Sequence, residues 1–242
     1  MGERTKKRTI FFLWGSVVIC ITTLSLLYFF FWRVPKPEEI FSKAMQQVVE
    51  LKCAKEGGGE SFGPAVLISG EGEFVSNAHV VTYTRLGEIH EFDEYYIRFA
   101  TENDYRKVKL VKYDTESDLS LLQLTDFADI KLQPAKIGDF NKIKSGNTVY
   151  AVGNGLNHGI SITKGIVSLP QVNLEYGDTV RTMVQCDLII NEGNSGGALL
   201  DEKGKLIGLT TFRLKDNQGK TVYGVAFCIP MDNVKSFIGQ SS

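Results

Sequence analysis

The sequence is poor in the residues that build metal cages, and it has no excess of positive charge. Its 242 residues include three histidines and four cysteines, and no two cysteines have the Cys-x-x-Cys spacing. That composition disfavours a Cys/His metal site. Lys and Arg total 27 against 28 for Asp and Glu, a net charge of −1, which excludes a strongly basic nucleic-acid-binding protein. We therefore expect no metal, no cofactor and no nucleic-acid partner.

Charge is also missing from one long stretch near the N-terminus, which runs from Ile10 to Trp32 without a charged side chain. A helix of that length would measure roughly 34 Å, enough to cross a hydrocarbon core of about 30 Å. The alternative is a cleaved signal peptide, but the run is longer than a usual h-region, and Tyr28–Trp32 contains no small-residue cleavage site. We expect a transmembrane helix over residues 10–32.

The flanking charges predict how this helix is oriented. Residues 1–9 contain four basic side chains, whereas Arg33 and Lys36 follow the helix with the acidic Glu38 and Glu39 beside them. Basic flanks favour the cytoplasmic side of a membrane. We therefore expect a single-pass membrane protein with a cytoplasmic N-terminus and an extracytoplasmic domain, in a membrane such as the bacterial plasma membrane.

Residues 33–56 come next, and two prolines mark their first part as a linker. Pro37 and two acids then open a stretch in which apolar residues recur at near-helical spacing, which is typical of a helix N-terminus. We expect an amphipathic helix here. Its apolar face, between Ile40 and Leu51, could pack on the folded domain or join copies of the chain.

From residue 57 onward, short apolar runs alternate with turn residues. Many short strands at regular spacing are typical of an all-β sandwich or barrel. Asp126, Asp129 and Pro134 interrupt the pattern near its middle. We therefore expect an all-β fold in two units of similar size, residues 57–130 and 131–242.

Three segments carry residue types used in nucleophilic catalysis. His79 follows Asn-Ala, Asp118 lies in Ser-Asp-Leu, and Ser195 lies in Gly-Asn-Ser-Gly-Gly. An imidazole can take the proton of a serine hydroxyl near neutral pH, and a carboxylate behind it fixes the tautomer. Each residue taken singly has an ordinary structural explanation. In the order His, Asp, Ser, which is that of chymotrypsin-like hydrolases, they predict a catalytic triad.

The glycines beside Ser195 permit a turn in which backbone N–H groups converge. We predict an oxyanion hole in the loop Gly193, Asn194 and Ser195, with the N–H groups of Gly193 and Ser195 as donors. In trypsin-type zymogens an Asp before the nucleophile pairs with a newly cut N-terminus, and Asn194 cannot form that ion pair. Activation by N-terminal cleavage is therefore not expected.

A substrate pocket is predicted on either side of the nucleophile. Its residues are Ile189, Ile190, Leu209, Thr210, Thr211, Val225 and Ala226. Because none of them is charged, we expect cleavage after small or medium aliphatic residues.

Five segments resemble the HtrA (also called Deg) family of serine proteases. They are Ser76–Val81, Asp114–Leu122, Val149–Ser168, Asn191–Leu200 and Gly224–Pro230. The resemblance runs from about Gly63 to Ile238. It implies the chymotrypsin-like fold of two six-stranded antiparallel β-barrels with the active site between them. His79 and Asp118 would come from the first barrel and Ser195 from the second.

The sequence departs from the family pattern in several loops. Phe62–Ala65 replaces a Gly-Ser-Gly-like run, Asn154-Gly155 replaces Asn-Pro, and Glu192 replaces a proline. HtrA proteins usually carry one or two PDZ domains, and the sequence ends at Ser242, so regulation through a PDZ domain is not expected. The family often forms trimers through its N-terminal segment. A homotrimer is therefore one option for this chain, and the oligomeric state stays open at this point.

The predicted function is that of a membrane-anchored, extracytoplasmic serine endopeptidase. Its substrates would be unfolded, exposed or membrane-associated proteins, as in protein quality control. Two alternatives stay open at this point. One is a latent or non-catalytic chaperone or scaffold with a protease fold, and the other is a dedicated processing protease for one membrane partner.

Three cysteines, Cys53, Cys186 and Cys228, lie in the part expected outside the cytoplasm, where disulfides can form. Because three is an odd number, they cannot all pair with one another. We expect unpaired, buried thiols, with a Cys186–Cys228 bridge as the alternative.

Overall fold

The computed structural model describes residues 2–31, 33–126, 130–154, 158–176, 179–191, 193–215 and 221–239. The chain divides into two compact units, Met1–Pro35 and Lys36–Ser242. Each is described by itself.

The first unit is one helix, α1 (Glu3–Phe31). Its stretch Phe11–Phe29 is long and apolar enough to cross a membrane, and none of it is buried within the protein. Three hydroxyl groups in this stretch bond back to the helix: Ser16 donates to the Leu13 carbonyl at 2.8 Å, and Thr22 and Thr23 donate to the Ile19 carbonyl at 2.9 and 2.7 Å. These polar side chains therefore need no water, as a lipid environment requires. Trp32, the last residue of the predicted span, lies outside the described residues.

The second unit consists mainly of two closed antiparallel barrels of six strands each. The first barrel contains β1 (Val48–Ala54), β2 (Glu60–Leu67), β3 (Glu73–Ser76), β6 (Glu94–Phe99), β7 (Arg106–Asp114) and β8 (Leu119–Leu124). Its strand order is β1-β2-β3-β8-β7-β6. A separate hairpin of β4 (Thr82–Arg85) and β5 (Glu88–Glu91) follows the short helix α3 (Ala78–Val81).

The second barrel contains β9 (Thr148–Gly153), β10 (Ser161–Tyr176), β11 (Thr179–Asp187), β12 (Ala198–Asp201), β13 (Leu206–Lys215) and β14 (Thr221–Pro230). Its strand order is β10-β11-β14-β13-β12-β9, and helix α4 (Met231–Ile238) follows the last strand. The barrels and the preceding apolar helix confirm the predicted fold class.

Alternation of side chains explains why these segments form barrels. In β6 the inward residues Tyr95, Ile97 and Phe99 are buried, and those between them are more exposed. A period of two residues is the signature of a strand with one face on a core. The predicted boundary near residue 130 falls in the connection between β8 and β9. Asp129, one of the residues used to place it, lies outside the described residues.

The amphipathic helix is shorter than predicted, and this corrects the expected extent of residues 33–56. Helix α2 (Pro37–Ala44) ends before the valines, and Val48–Ala54 form β1, which pairs with both β2 and β6. The first barrel therefore begins well before residue 57. β-branched residues buried on a sheet favour a strand over a helix. The near-helical spacing of the apolar residues had predicted a helix for this segment instead.

The apolar face of α2 packs within the second unit. Ile40 and Ala44 are almost fully buried in one cluster with Leu206 and Val234. A Cβ on Gly204 would lie 3.4 Å from Ile40, so the helix rests directly on the β12–β13 turn. Of the two roles left open for this face, packing on the folded domain is the one observed.

The cysteines outside α1 are free and fully buried. Burial raises the pKa of the Cys53 thiol well above its ordinary value. Cys186 on β11 and Cys228 on β14 lie on neighbouring strands, and their hydrogen bond, followed by burial, raises the pKa of the Cys228 thiol. The thiolate is the reactive form of cysteine. Burial and the raised pKa therefore both protect Cys53 and Cys228 from thiol reagents.

We expect the full-length Cys20→Ser variant in detergent micelles to react slowly with a thiol-specific disulfide reagent while folded. After denaturation without reductant it should release three thiols per chain, those of Cys53, Cys186 and Cys228. Absorbance of the released chromophore gives both numbers. Recovery of a single thiol would indicate a Cys186–Cys228 bridge instead, and the Cys53→Ser variant then assigns the remaining one.

Candidate active site

The first barrel brings His79 and Asp118 together. His79 lies on α3 directly after β3, and Asp118 lies directly before β8, which pairs with β3. The His79 Nδ1 atom is 2.9 Å from Asp118 Oδ2 and 3.0 Å from Oδ1, and the His79 backbone N–H donates to Oδ1 at 3.1 Å. One carboxylate therefore holds His79 at two points, the ring atom Nδ1 and the backbone N–H.

The two side chains differ in exposure. The His79 side chain is 51% exposed and that of Asp118 only 10%. Asp118 has a φ of 56°, in the left-handed region that residues with a Cβ rarely adopt. Such conformations cost about 1–3 kcal/mol and persist where the surroundings enforce them. A shielded carboxylate behind an open imidazole is the arrangement that a histidine base requires.

Asn77 holds this pair in place, although the sequence did not single it out. Its Nδ2 donates to the Asp118 carbonyl at 2.9 Å and to Thr211 Oγ1 at 3.3 Å, and its own carbonyl accepts from Ser120 Oγ at 3.1 Å. Asn77 is fully buried. A buried amide that bonds to both barrels links the His79 turn to β13. The signal in the sequence was its position in the Ser76–Val81 segment, two residues before His79.

The second barrel supplies Ser195 in the loop between β11 and β12. Gly196 donates its N–H to the Thr210 carbonyl at 2.8 Å, and Gly197 donates to the Asn194 carbonyl at 3.0 Å. The Ser195 hydroxyl donates to the Thr211 carbonyl on β13. Within the described part of the chain, no hydrogen bond joins Ser195 to His79. The His79–Asp118 pair is thus formed while the serine hydroxyl is directed at β13.

The nucleophile loop touches the first barrel at Gly196. A Cβ on this residue would lie 2.2 Å from Ser76 Oγ and 2.6 Å from the Pro64 carbonyl oxygen, and its φ is 91°. Ser76 Oγ in turn donates to that carbonyl at 2.8 Å. Gly63 is similarly tight, since its Cβ would lie 2.9 Å from Val80. The Phe62–Ala65 segment, which departs from the family pattern, therefore forms part of the contact between the barrels.

One backbone N–H of the predicted oxyanion loop, that of Asn194, already donates a hydrogen bond. Asn194 donates its N–H to the Asn191 carbonyl at 3.0 Å. Among the described residues, the N–H groups of Gly193 and Ser195 have no backbone partner. Glu192, whose departure from the family pattern was noted, lies outside them. The Asn194 carboxamide is buried with its Oδ1 unpartnered, 3.0 Å from where a Gly153 Cβ would be. The oxyanion hole stays a prediction.

The predicted pocket residues do not all present side chains to the surface. Five of them are almost fully buried, namely Ile190, Leu209, Thr210, Thr211 and Ala226. Ile189 is 65% exposed, and Val225 is partly buried against an apolar cluster that contains residues of both barrels. Thr163 Oγ1 bonds to the Ile189 carbonyl at 3.3 Å. All the lining that reaches the surface is apolar, and its assignment as a pocket remains a prediction.

The turn that leads into Asp118 is itself braced. Burial alone would raise the pKa of Asp114, but hydrogen bonds from the Ser117 side chain and from the N–H groups of Glu116 and Ser117 bring it below its ordinary value. Arg181 on β11 donates to the Thr115 carbonyl at 2.7 Å. The carboxylate turn is thereby attached to the second barrel.

Comparison with known proteins agrees with this geometry. Residues 63–209 match the family model of the trypsin-like peptidase domain. A probable periplasmic DegP-like serine endoprotease of Pseudomonas putida is 32% identical over 199 residues, 82% of this chain and 39% of that protein. The Do-like HtrA serine protease of Lactobacillus helveticus is 30% identical over 195 residues, 79% of this chain and 44% of that protein.

A solved structure of the HtrA-type protease AlgW with a tripeptide superposes with a TM-score of 0.72 at 29% identity. The alignment covers 85% of this chain and 63% of that one. The resemblance to HtrA proteases and to their chymotrypsin-like fold is thereby confirmed. The chain spans about two fifths of the length of the curated relatives it matches.

We expect Gly196→Ala to displace the nucleophile loop because its methyl group would collide with Ser76 and Pro64. Gly146→Ala is the matched control, since Gly146 has a φ of 85° but nothing within 4 Å of an added Cβ. The control isolates backbone strain, roughly 1–2 kcal/mol. Gly196→Ala should cost about 1–3 kcal/mol more. Urea unfolding of both variants measures the difference, and equal losses would show that the contact between the barrels is not tight.

Proposed function

The chain belongs to the trypsin-like peptidase family, and on that basis we propose that it is a serine endopeptidase with His79, Asp118 and Ser195 as its catalytic triad. The observation that carries this proposal is the two-point hydrogen bond between His79 and Asp118. It leaves His79 Nε2 as the ring nitrogen free to act as a base. Ser195 lies in the glycine-rich loop between β11 and β12 of the second barrel.

The reaction would proceed by acyl transfer. The Ser195 hydroxyl turns from the Thr211 carbonyl toward His79 Nε2, gives up its proton to that nitrogen and attacks the peptide carbonyl carbon. The imidazolium, stabilised by Asp118, then protonates the leaving amine as the C–N bond breaks. Water repeats the sequence in place of the serine: His79 takes a proton from it, the acyl–oxygen bond breaks, and Ser195 recovers its proton.

The N–H groups of Gly193 and Ser195 would stabilise the negative charge that develops on the carbonyl oxygen. Each such donor is worth about 2.7–4 kcal/mol where one has been removed by mutation. The side chain of Asn194 would support the loop from its buried position rather than bind the oxyanion. This assignment leaves the Asn194 N–H on the Asn191 carbonyl.

We further propose that α1 anchors the enzyme in a membrane with the protease domain outside the cytoplasm. The apolar stretch Phe11–Phe29 and its self-satisfied hydroxyl groups support this. The relatives named periplasmic endoproteases are consistent with an extracytoplasmic domain. Unfolded, exposed or membrane-associated proteins would be the substrates. A homotrimer and a role in one dedicated processing step remain hypotheses.

One observation favours a latent resting form as the second candidate. The Ser195 hydroxyl is engaged with the Thr211 carbonyl, so the nucleophile is not yet aligned with its base. A protein held in this state would act as a chaperone or scaffold without turnover. Reactivity of Ser195 separates the two candidates.

We expect a fluorophosphonate probe to label the full-length protein in detergent micelles, because the probe reacts with an activated serine without needing a known substrate. Ser195→Ala should abolish labelling, and Asp118→Asn should slow it by about 10⁴-fold. Ser236→Ala, which removes an exposed hydroxyl on α4, is the matched control and should label like the wild type. A folded wild type that does not label would favour the latent form.

The apolar lining predicts the residue after which the enzyme cleaves. Quenched fluorescent peptides that differ only at the residue before the scissile bond should be cleaved faster with Val or Ala than with Lys or Arg. An unfolded protein should be degraded faster than the same protein folded. Equal or faster cleavage after Lys or Arg would contradict the pocket assignment.

A further inference from the structure

A carboxylate is buried where the two barrels meet. Glu50 lies in β1, whose alternate residues Val49, Leu51 and Cys53 fill the core of the first barrel. Glu50 therefore lies on the opposite face of the strand, and it is only 8% exposed. A charge buried to this extent is costly unless it is paired and hydrogen-bonded.

Both oxygens of Glu50 are occupied. Arg98, its direct neighbour across β1 and β6, donates to Oε1 at 2.9 Å, and the Tyr105 hydroxyl donates to the same atom. Burial, and then the hydrogen bond to Glu50, raise the pKa of Tyr105 to about 12. The other oxygen, Oε2, accepts from Nδ2 of Asn154 at 2.6 Å. Two donors come from the first barrel and one from the second.

Asn154 connects Glu50 to the backbone of the second barrel. It follows the last residue of β9 and is fully buried. While its Nδ2 faces Glu50, its Oδ1 accepts the N–H of Gly159 at 2.8 Å. Glu50 thus fixes which way the carboxamide points, and the carboxamide in turn holds the backbone N–H of Gly159.

The same point of the chain lies against the nucleophile loop. A Cβ on Gly153 would lie 3.0 Å from Asn194 Oδ1 and 3.3 Å from Asn194 Cα. β9 also pairs with β12, in a register that places Val152 beside Ala198. A shift of Asn154 would therefore move backbone that touches the residue before Ser195.

We propose that Glu50 is a positioning residue for Ser195, acting through Asn154. The buried carboxylate holds the end of β9 against the first barrel, and this sets the nucleophile loop relative to His79 and Asp118. The inference rests on the proposed function, because it assigns Glu50 a role in placing that nucleophile. Asn154 belongs to the segment that resembles the HtrA pattern, and it is the carboxylate opposite it that gives the amide a fixed orientation.

The hydrogen bonds provide a test in which the partners exchange roles. In Glu50→Gln, every orientation of the two carboxamides places one donor against another. In Asn154→Asp, two carboxylates face each other. In the double variant, the carboxamide introduced at position 50 can accept from Arg98 and Tyr105 through its oxygen. Its nitrogen can donate to the carboxylate introduced at position 154, and that carboxylate still accepts from Gly159.

We expect each single variant to react with the fluorophosphonate probe about tenfold to a hundredfold more slowly, the range found when catalytic groups are slightly misplaced. The double variant should recover to within roughly threefold of the wild type, since its network is complete again. Rates are measured on the full chain in detergent and divided by the folded fraction from circular dichroism. With peptides, kcat should fall while KM changes little. Glu102→Gln, in a partly exposed ion pair of the same barrel, is the control and should label like the wild type.

The inference fails if the single variants lose stability but label at the wild-type rate per folded molecule, or if the double variant does not recover. Should a single variant not fold, Glu50→Asp keeps the charge but withdraws it from Asn154. Slower labelling of that variant supports the inference, and an unchanged rate overturns it. An unlabelled wild type contradicts the proposed function instead, so the two failures are distinguishable.

Discussion

The contact between the two barrels is the constraint on which the rest of the site depends. His79 and Asp118 belong to one barrel and Ser195 to the other, so no strand fixes all three. The barrels approach so closely at Gly196 that no side chain fits between it and Ser76. Asn77 bonds to Thr211 across the same boundary, and Arg181 bonds to the Thr115 carbonyl. These short polar contacts set how far Ser195 lies from His79, the distance over which a proton would move in the proposed mechanism. Apolar packing alone could not specify that distance, because hydrophobic attraction is non-directional.

The two halves of the site are prepared to different degrees. The base is oriented by a carboxylate that is itself held in a strained backbone conformation, so its geometry is fixed before any substrate arrives. The serine hydroxyl instead uses a backbone carbonyl of β13 as its partner. The loop backbone beside the serine is tied to β13, since Gly196 donates its N–H to the Thr210 carbonyl. Replacing the Thr211 carbonyl by an imidazole as the partner of the hydroxyl would exchange one hydrogen bond for another, which is a small change in net terms.

The sequence was sufficient to predict the barrels and to single out His79, Asp118 and Ser195 as candidate catalytic residues, because both signals lie in local patterns. Side chains along a strand alternate with a period of two residues. The glycines beside Ser195 are the residues that its tight turn requires. Residues 48–54 were misread because a short apolar run fits helical and strand periodicity alike, and only pairing with β2 and β6 decides between them. Asn77 and Glu50 were missed for a related reason. Local patterns do not reveal the role of such a polar residue, since its partners lie 41 to 134 positions away for Asn77 and 48 to 104 for Glu50.

Two segments that depart from the family pattern near the site each keep one residue that the contacts there require. The Phe62–Ala65 segment keeps a glycine where Val80 and the Ser195 carbonyl approach it, so the requirement is for space rather than for a particular run of residues. At Asn154 the requirement is different, because an amide has two distinct ends and must present each to the correct partner. The buried carboxylate of Glu50 meets that requirement by accepting only, and Arg98 compensates its charge. The orientation of the Asn154 carboxamide therefore depends on a charge in the opposite barrel.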